Sequence, residues 1–497
     1  MTATAGLGST SADNLTVSWE RVAAEVAAGG RLADLFATAR GDRILITAQV
    51  AARGGMMTID VLLPPGQHSY PALTPLVRAA FWYEREIHDL FGIVPAGHPR
   101  LEPLVLPASG GELPRPGDPR QPAAIWPDPA ALPLHVIGPG MFTIPHGPVR
   151  SGVVESIEYL VETPGEDIPH LNMRPFYKHR GIEKRFERMH PGDGVLLAER
   201  TEGIASVAHA IAYCQALEAI AGTDVPWPAA LVRVLHAELE RLACHLDVIV
   251  RLADGAGLAV ATARFGWHKE RVLRLTGQLC GSRFGRGVVV PGGVTFPPLL
   301  APARILAAVS ELDRQLSPDI RLLLGSASFL DRLRRTGPLP ADRAAEHGAL
   351  GPVGRASAST DDARVARAYG AYSSLGLTVS SRRDGDALAR LEVRVDEIES
   401  TVHLLRQVAD ELGEAEPGQL RADCPAADGR ALAWAEAPQG EVLYDVCINE
   451  GRITRCRSRS ASFHNLVLMH EVFAGDILTD FPFIEASFGL SVAGVAG

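Results

Sequence analysis

Histidine and acidic residues in one stretch of the chain could act as metal ligands, and their spacing tests that possibility. His236, Glu240 and His245 are separated by four and five residues. Residues four apart share a helix face, whereas residues five apart do not, so only the first pair would point the same way. The spacing therefore favours structural roles. The six cysteines include no C-x-x-C pair, the usual spacing of zinc and iron–sulfur sites, and are expected to be isolated thiols.

Two other patterns also have a chemical and a structural interpretation. His209 and Tyr213 are one turn apart on an apolar helix, which favours a hydrogen-bonded pair in the core. Gly255-Ala-Gly257 has no third glycine at the dinucleotide-binding spacing and no preceding strand, so a Rossmann-type site is rejected.

The composition is that of a large folded protein. The chain has 497 residues, 46% hydrophobic and 21% charged, a length that predicts two or three domains. A formal net charge of −10 offers no broad cationic face, so nucleic acid is not expected as a partner. No run of the roughly 18 uncharged apolar residues that span a bilayer occurs. Residues 1–20 lack the basic and apolar parts of a signal peptide, which predicts a cytosolic protein.

A proline-rich segment divides the chain. Twelve of the 36 prolines lie between Pro103 and Pro148, a density that disrupts helices and central strands. We therefore predict an N-terminal domain at 1–105, a linker at 106–135 and a larger domain at 136–497.

The fold class predicted from these segments is multidomain α+β. The small N-terminal domain is expected to contain an amphipathic stretch near Thr16–Ala37, a hairpin of Asp42–Ala51 and Met56–Pro64, and a helix around Ala72–Leu90. The larger domain is expected to be mainly helical with β decoration. Its predicted helices are Ser206–Ile220, a segment through Leu235–Ile249, Thr262–Leu279, Pro302–Leu324 and Asp386–Leu412.

Two further segments of the larger domain are predicted to lie outside its helices. Glu441–Ile448 and Arg452–Arg459 are expected to form a hairpin. Arg334–Ala363 is rich in Gly, Pro and Ser and is expected to form a long surface loop.

Ordered motifs in both domains resemble one family of respiratory subunits. Residues 81–93, Phe-Trp-Tyr-Glu-Arg-Glu-Ile-His-Asp-Leu-Phe-Gly-Ile, are similar to the E-R-E-x-x-D-L-F-G-I signature of the complex I C-type subunit, a docking module without a cofactor. The larger domain resembles the complex I D-type subunit and the large subunits of energy-converting nickel–iron hydrogenases of the formate-hydrogenlyase and hydrogenase-4 type. The motifs are Gly138-Pro139 with His146-Gly147, His179-Arg-Gly-Ile-Glu-Lys184, Glu240-Arg-Leu-Ala-Cys-His245 and Pro291-Gly-Gly-Val294.

The resemblance implies four metal-binding thiolates, and all four are replaced. The early motif R-x-C-G-I-C-S-V-A-H-A begins here at Arg200 and has Glu202 and Ala205 at the cysteine positions. After the intact D-F-P-x-I-x-x-S motif, Ser491 and Gly494 occupy the late cysteine positions. Because nickel and its bridge to iron need soft sulfur ligands, the nickel–iron centre is predicted to be absent and the chain to bind no metal. The chain is also expected not to mature by C-terminal cleavage.

The resemblance also implies a quinone cavity with altered polar groups. His146 matches the histidine that holds the quinone head group in the complex I family, and Asp254 lies near its supporting aspartate. The family's tyrosine position falls on Gly203, beside Glu202. We therefore expect Glu202, His146 and Asp254 to be the catalytic candidates, with His146 and Gly203 at a remnant quinone cavity and His146 facing Glu202.

The same resemblance implies partners. His179, Arg180, Glu183 and Lys184 match a stretch that lies near the terminal iron–sulfur cluster of the small partner subunit. The expected partners are a complex I B-type iron–sulfur subunit and membrane-arm subunits, including antiporter-like ones. The expected location is the cytoplasmic face of the membrane, as a peripheral subunit.

Three functional hypotheses remain open at this stage. The first is an electron-transfer subunit of a NADH:quinone-oxidoreductase-related, hydrogenase-4-like complex without nickel–iron. The second is a non-catalytic scaffold that couples an iron–sulfur partner to an ion-translocating membrane arm. The third, an active nickel–iron hydrogenase, is disfavoured by the missing thiolates.

Overall fold

The structure is a computed structural model that describes residues 12–52, 54–106, 138–150, 155–415 and 418–497. The predicted linker at 106–135 therefore lies, apart from Leu106, outside the described residues, and the boundaries of the two domains stay a prediction. The described chain is a mixed α/β fold, as predicted, with a small β-containing N-terminal part and a larger, mainly helical part.

The N-terminal part is built on an antiparallel sheet of order β1-β2-β3. Its elements are α1 (Ala12–Ala27), β1 (Arg31–Arg40), β2 (Arg43–Ala52), β3 (Gly55–Leu62), β4 (Ser69–Pro71), α2 (Phe81–Phe91) and β5 (Val94–Ala96). The predicted hairpin is present as β2 and β3. The short strands β4 and β5 pair in parallel.

Two predictions for this part were wrong in their extent. The amphipathic stretch Thr16–Ala37 is half helix and half strand, because α1 ends before Gly29, which has a φ of 94°, and β1 then pairs with β2. The helix expected from Ala72 begins only at Phe81. It ends as expected at Gly92, whose φ of 66° is the left-handed conformation of a helix C-cap.

The larger part contains two more three-stranded antiparallel sheets and most of the helices. Its strands are β6 (Phe142–His146), β7 (Glu158–Thr163), β8 (His170–Arg174), β9 (Val289–Val290), β10 (Gly293–Val294), β11 (Gly429–Ala437), β12 (Gly440–Asn449) and β13 (Arg452–Arg459). The predicted late hairpin is β12–β13, and β11, which the sequence analysis did not identify, adds a third strand to it.

The helices of the larger part follow the predicted pattern closely. They are α3 (Ile182–Phe186), α4 (Pro191–Ala198), α5 (Ser206–Ala221), α6 (Trp227–Gly255), α7 (Ala259–Cys280), α8 (Pro302–Leu324), α9 (Ala327–Leu333), α10 (Ala341–His347), α11 (Gly351–Ala356), α12 (Ala363–Ala366), α13 (Ala387–Glu414), α14 (Ala461–Leu466), α15 (Met469–Val472), α16 (Phe481–Phe488) and α17 (Val492–Ala496). The long helices α6, α7, α8 and α13 pack around one apolar core.

The segment Arg334–Ala363 is not the surface loop that was predicted. It contains α10 and α11, and Arg355 within it is 1% exposed. The Arg355 guanidinium pairs with the buried carboxylates of Glu397 and Glu436, at 2.8 and 3.0 Å. Glycine and proline mark helix starts and ends here rather than an irregular loop, and the ion pairs hold the segment inside the fold.

The N-terminal and larger parts share a hydrophobic core. Trp82 and Tyr83 of α2 pack on Phe463 of α14, with ring centroids 5.9 and 5.0 Å apart, and Ile484 and Val495 near the C-terminus belong to the same cluster. The six cysteines are free, and four of them are buried. In the described parts of the chain, no helix is long and apolar enough to cross a membrane.

Candidate functional site

The early and late segments that the family resemblance assigns to thiolate motifs meet inside the fold. Glu202 precedes α5 and is fully buried, as is Ala205. Gly494 lies in α17, and a Cβ placed on it would lie 2.8 Å from Glu202 Oε2 and 2.7 Å from Glu202 Cδ. The Glu202 carboxylate therefore fills the space that a side chain at position 494 would need.

A buried hydrogen-bond chain surrounds Glu202. Ser462 Oγ donates to Glu202 Oε1 at 2.7 Å, and His209 Nε2 lies 3.1 Å from Glu202 Oε2. The other ring nitrogen of His209 lies 2.9 Å from the hydroxyl of Tyr444. Burial raises the pKa of Tyr444 well above its ordinary value, so this hydroxyl remains a donor. When Glu202 is ionised it can only accept, so the neutral tautomer of His209 that donates from Nε2 to Glu202 accepts at Nδ1 from Tyr444. We call Glu202, His209, Tyr444 and Ser462 the Glu202 cluster.

Ser491, at another position that the family resemblance assigns to a thiolate, contacts this cluster through its backbone. Its N–H donates to Ser462 Oγ at 3.1 Å. Its own hydroxyl donates to Glu155 at 2.7 Å, and the same carboxylate accepts the backbone N–H of Val492 at 2.6 Å. Ser491 therefore connects the half-buried Glu155 and the buried Glu202 through two separate groups, its hydroxyl and its backbone N–H.

His146 lies in a different cluster. The ring of this exposed residue meets Phe481 edge to face at 5.2 Å between centroids, and its Nε2 lies 3.4 Å from Arg150 Nη1. Arg150 forms a two-pronged ion pair with Glu485 at 2.9 and 2.7 Å, and Tyr159 also donates to that carboxylate. Partial burial, and then the charge of Arg150, lower the pKa of His146. His146 and Glu202 thus have separate partners, and no contact between them is formed.

Asp254 approaches the same end of α16 from another side. The residue is exposed at the C-terminal end of α6. A Cβ on its neighbour Gly255 would lie 3.6 Å from the ring of Phe483 and 3.8 Å from Pro482. The N-terminal turn of α16 therefore lies near both His146 and Gly255, the residue after Asp254.

Gly203 lies at the rim of a cavity. The cavity, of about 90 Å³, is enclosed by the start of α5, by α6 and α7, and by the turn at 283–285. Its walls are mainly apolar, including Val207, Leu239, Leu273 and Phe284. The lining of this cavity includes Gly203 and Glu240 and does not include His146.

The predicted partner-facing motif divides into two pairs with different surroundings. His179 and Arg180 hold backbone carbonyls: His179 Nδ1 lies 2.6 Å from the Ala496 oxygen, and Arg180 Nη2 donates to the carbonyls of Thr201 and Ala493, both at 2.6 Å. Arg180 therefore ties the early segment to α17. No signal in the sequence indicated this role, because the acceptors are backbone oxygens 21 and 313 residues away.

Glu183 and Lys184 differ in exposure. Glu183 lies at the junction of the two parts, where it pairs with Arg455 at 2.6 Å and Arg457 at 3.1 Å. Lys184 is exposed and pairs with Glu187. Of the four predicted residues, His179 and Lys184 are exposed, and Lys184 is the one whose side-chain partner, Glu187, is also near the surface.

A buried ion network around α6 was missed by the sequence analysis. Glu238 accepts hydrogen bonds from Arg364, Tyr372 and Thr401 at 2.6–3.0 Å, and Arg241 lies 3.3 Å from it. His245, which the spacing argument assigned a structural role, pairs with Glu397 at 2.8 Å. Charged residues at positions 238, 241 and 245 on an otherwise apolar helix face were the available signal.

The hydrogen-bonded pair that was expected of His209 and Tyr213 is not formed. His209 and Tyr213 are both buried but do not pair, because Tyr213 donates to the Pro191 carbonyl and His209 joins the Glu202 cluster. No group of three or more His, Cys, Asp or Glu side chains in the described residues could hold a metal ion.

Comparisons with known proteins agree with this architecture. Residues 258–427 and 419–496 match the family described as respiratory-chain NADH dehydrogenase, 49 Kd subunit, and residues 18–116 match the 30 Kd subunit family. A D-type NADH-quinone oxidoreductase subunit of Streptomyces coelicolor is 30% identical over 320 residues, covering 61% of this chain and 82% of the relative. The chain belongs to the 49 kDa subunit family and carries a 30 kDa-type part at its N-terminus.

Longer relatives have the same order of parts. Formate hydrogenlyase subunit 5 of Escherichia coli is 28% identical over 443 residues, covering 87% of this chain and 77% of the relative. A chain of the archaeal membrane-bound sulfane sulfur reductase has the same fold, with a TM-score of 0.68, 24% identity, and coverage of 73% of this chain and 100% of the other.

Proposed function

We propose that this chain is the large subunit of a membrane-associated redox complex related to hydrogenase-4, formate hydrogenlyase and NADH:quinone oxidoreductase, in which the Glu202 cluster stands where nickel–iron would bind. Membership of the 49 kDa family supports the type of subunit. The observation that carries the proposal is the contact between Glu202 and Gly494, two lost thiolate positions brought together and filled by a carboxylate.

A nickel–iron group does not fit these residues. Glu202, Ala205, Ser491 and Gly494 supply no thiolate, and nickel bridged to iron requires soft sulfur donors. The Glu202 carboxylate, moreover, already occupies the space beside Gly494 and has its hydrogen bonds satisfied by Ser462 and His209. No step of the proposed function therefore passes through a metal.

The Glu202 cluster is suited to holding and passing a proton. A carboxylate, an imidazole and a phenol lie in hydrogen-bond contact, so a proton arriving at Glu202 can be accepted without breaking the chain. Glu155 and Ser491 provide a polar connection towards the less buried side of the fold. This role is independent of whether a quinone binds near His146.

The polar and aromatic groups around His146 support placing a quinone beside this residue. Phe481 and Tyr159 offer aromatic faces, and the His146 ring can donate one hydrogen bond to a quinone oxygen. The family's second donor is missing because Gly203 has no side chain. His146 would therefore be the one side chain that donates a hydrogen bond to the quinone. Arg150, which is paired with Glu485, contacts the His146 ring and fixes the orientation of that ring.

We further propose the partners and location that the family implies. The proposed partners are an iron–sulfur small subunit, reached through the exposed Lys184 side of the 179–184 motif, and membrane-arm subunits including antiporter-like ones. The chain itself would bind no cofactor permanently. It would lie peripherally on the cytoplasmic face of the membrane.

The competing function is a non-catalytic scaffold. Two observations support it. His179 and Arg180 form hydrogen bonds to backbone carbonyls, and the Glu202 carboxylate accepts hydrogen bonds from residues inside the fold. Both are structural roles. In this version the cluster keeps the early and late segments together, and no substrate reaches it.

Two measurements on the purified complex test the proposal. Elemental analysis is expected to find well under one nickel per chain, and about one nickel per chain would contradict the proposal.

The second measurement is the turnover of a variant. Glu202→Gln keeps the side-chain volume and is expected to abolish turnover of an assembled complex. If turnover is unchanged in the variant, the scaffold function is correct and the redox role is wrong. Glu311→Gln, an exposed residue of α8 paired with Arg314, is the matched control.

A further inference from the structure

The cavity beside Gly203 contains a carboxyl group that the proposed function does not use. Glu240, half-buried on α6, accepts the backbone N–H groups of Val207 and Ala208 at 2.7 and 3.1 Å, at the start of α5. The side chain therefore lies between the cavity and the segment that carries Glu202. The cavity reaches the surface at the exposed residues Gly203 and Phe284.

A second polar group in the same cavity has no partner. His236 is 1% exposed, and its Nδ1 has no hydrogen-bond partner among the described residues. It lines the cavity one helical turn before Glu240. A buried polar atom without a partner is costly, and water or another small hydrogen-bonding molecule in the cavity would satisfy it. A cavity of about 90 Å³ holds more than one water molecule.

The positive charges in the cavity wall near Glu240 are paired with other carboxylates and do not neutralise it. Burial raises the pKa of Glu240 to about 8, and the negative charge of Glu202 also raises it. The two backbone N–H donors and Arg241 on the same helix lower this pKa, but by less. The cations of the cavity wall already have partners, since Lys269 pairs with Asp247 and Arg283 with Glu270. Burial also lowers the pKa of His236 to about 4, so this ring adds no positive charge near neutral pH.

We propose that this cavity is a proton-exchange chamber, in which Glu240 exchanges a proton with water that enters the cavity and acts through its charge on the Glu202 cluster. The geometry that carries the proposal is a carboxyl group at the start of α5 that lines a cavity open to the surface, beside the unpartnered Nδ1 of His236. The inference rests on the proposed function in assigning proton transfer to Glu202. The state of Glu240 itself can be measured without turnover.

The first test is labelling with dicyclohexylcarbodiimide, which modifies protonated carboxyl groups in apolar, accessible surroundings. The acid proton moves to a carbodiimide nitrogen, the carboxylate oxygen adds to the central carbon, and the acyl group then migrates to nitrogen, so the whole reagent remains attached. Peptide mass mapping of the intact complex is expected to find the adduct on Glu240. Its formation rate should fall about tenfold between pH 7 and pH 9, following a pKa of about 8.

The controls lie in the same chain. Glu240→Gln should carry no adduct at this peptide. Asp428 is exposed, and the backbone N–H groups of Gly451 and Glu450 lower its pKa, so it should remain unmodified throughout. A folded complex in which Glu240 stays unmodified from pH 6 to pH 9 would overturn the proposal.

The second test concerns the effect of Glu240 on the Glu202 cluster. Turnover of the assembled Glu240→Gln complex is expected to fall at least tenfold, with Glu311→Gln as the control. Unchanged turnover would overturn the proposal even if Glu240 is labelled. A finding of stoichiometric nickel would instead refute the proposed function while leaving the adduct on Glu240 unaffected, so the two failures are distinguishable.

Discussion

At the scale of single residues, two of the four positions that the family resemblance assigns to thiolates, 202 and 494, depend on each other in space. Glu202 fits because Gly494 has no Cβ, and its charge is acceptable inside the fold because Ser462 and His209 contact it. A carboxylate without such partners would be expensive to bury. The residue at 494 therefore depends on the residue at 202.

The dependence predicts coupled substitution effects. Gly494→Ala would place a Cβ within 2.9 Å of three atoms of Glu202, an overlap expected to destabilise the protein by about 1–3 kcal/mol. In a Glu202→Ala background the same change should cost much less. Chemical denaturation of the four proteins of this double-mutant cycle measures the difference. Additive effects would mean that the two side chains do not compete for space.

A second residue-scale prediction concerns acid sensitivity. Burial lowers the pKa of His347 to about 4, and neither ring nitrogen has a hydrogen-bond partner among the described residues. Between pH 6.5 and pH 4 the unfolded chain therefore binds a proton that the folded chain does not, so stability falls as the pH falls. His347→Leu should reduce the decrease in denaturation midpoint between pH 7 and pH 4.5. An unchanged decrease would show that His347 does not contribute.

At the scale of elements, one arginine connects the segments that form the site. Arg180, just before α3, donates to carbonyls of the early segment and of α17, and its backbone N–H donates to the Gly497 carbonyl at 2.9 Å. A five-residue helix such as α17 has little stability of its own, so its position depends on these contacts.

The element-scale prediction is local loosening without global unfolding. In Arg180→Ala, backbone amides of Val492–Ala496 should exchange with deuterium at least tenfold faster, while those of α6 keep their protection. Lys184→Ala removes an exposed charge of the same motif and should leave both unchanged. Equal exchange in the two variants would contradict the role of Arg180.

At the scale of the whole molecule, buried charges join the N-terminal part to the larger part. Arg457 of β13 pairs with Asp34 of β1 at 2.9 Å, with Glu86 of α2 at 2.9 Å and with Glu183 at 3.1 Å. Two motifs of the family, one from each part, thus share one guanidinium. Together with the common apolar core, this pairing makes the N-terminal part an integral component of the fold.

Removing that guanidinium should destabilise the junction. Arg457→Met leaves three acidic side chains without their shared cation and is expected to cost about 3–5 kcal/mol. Limited proteolysis should then cut between the two parts at lower protease concentration than in the parent protein. Arg314→Met, at an exposed pair, serves as the control. Equal resistance of Arg457→Met and the parent protein would contradict the assigned junction.

The sequence by itself determined the elements whose signals are local. The apolar repeat predicted α8 at its observed bounds and α5 to within one residue, because helical periodicity depends on neighbours three and four positions away. Residue types alone also excluded thiolate ligands at Glu202, Ala205, Ser491 and Gly494. The same local logic failed for Arg334–Ala363, where partners elsewhere in the chain bury the segment.

Only the tertiary structure decided what these residues contact. Glu202 and Ser462 are 260 residues apart, and the Arg180 acceptor at Ala493 is 313 residues away, so no spacing rule could have paired them. The same holds for His146, which the fold places against α16 and Arg150 rather than against Glu202. Side-chain chemistry can be read from the sequence, but a buried partner is chosen by how distant segments pack, because burial makes unpaired polar groups costly and leaves few arrangements that satisfy them all.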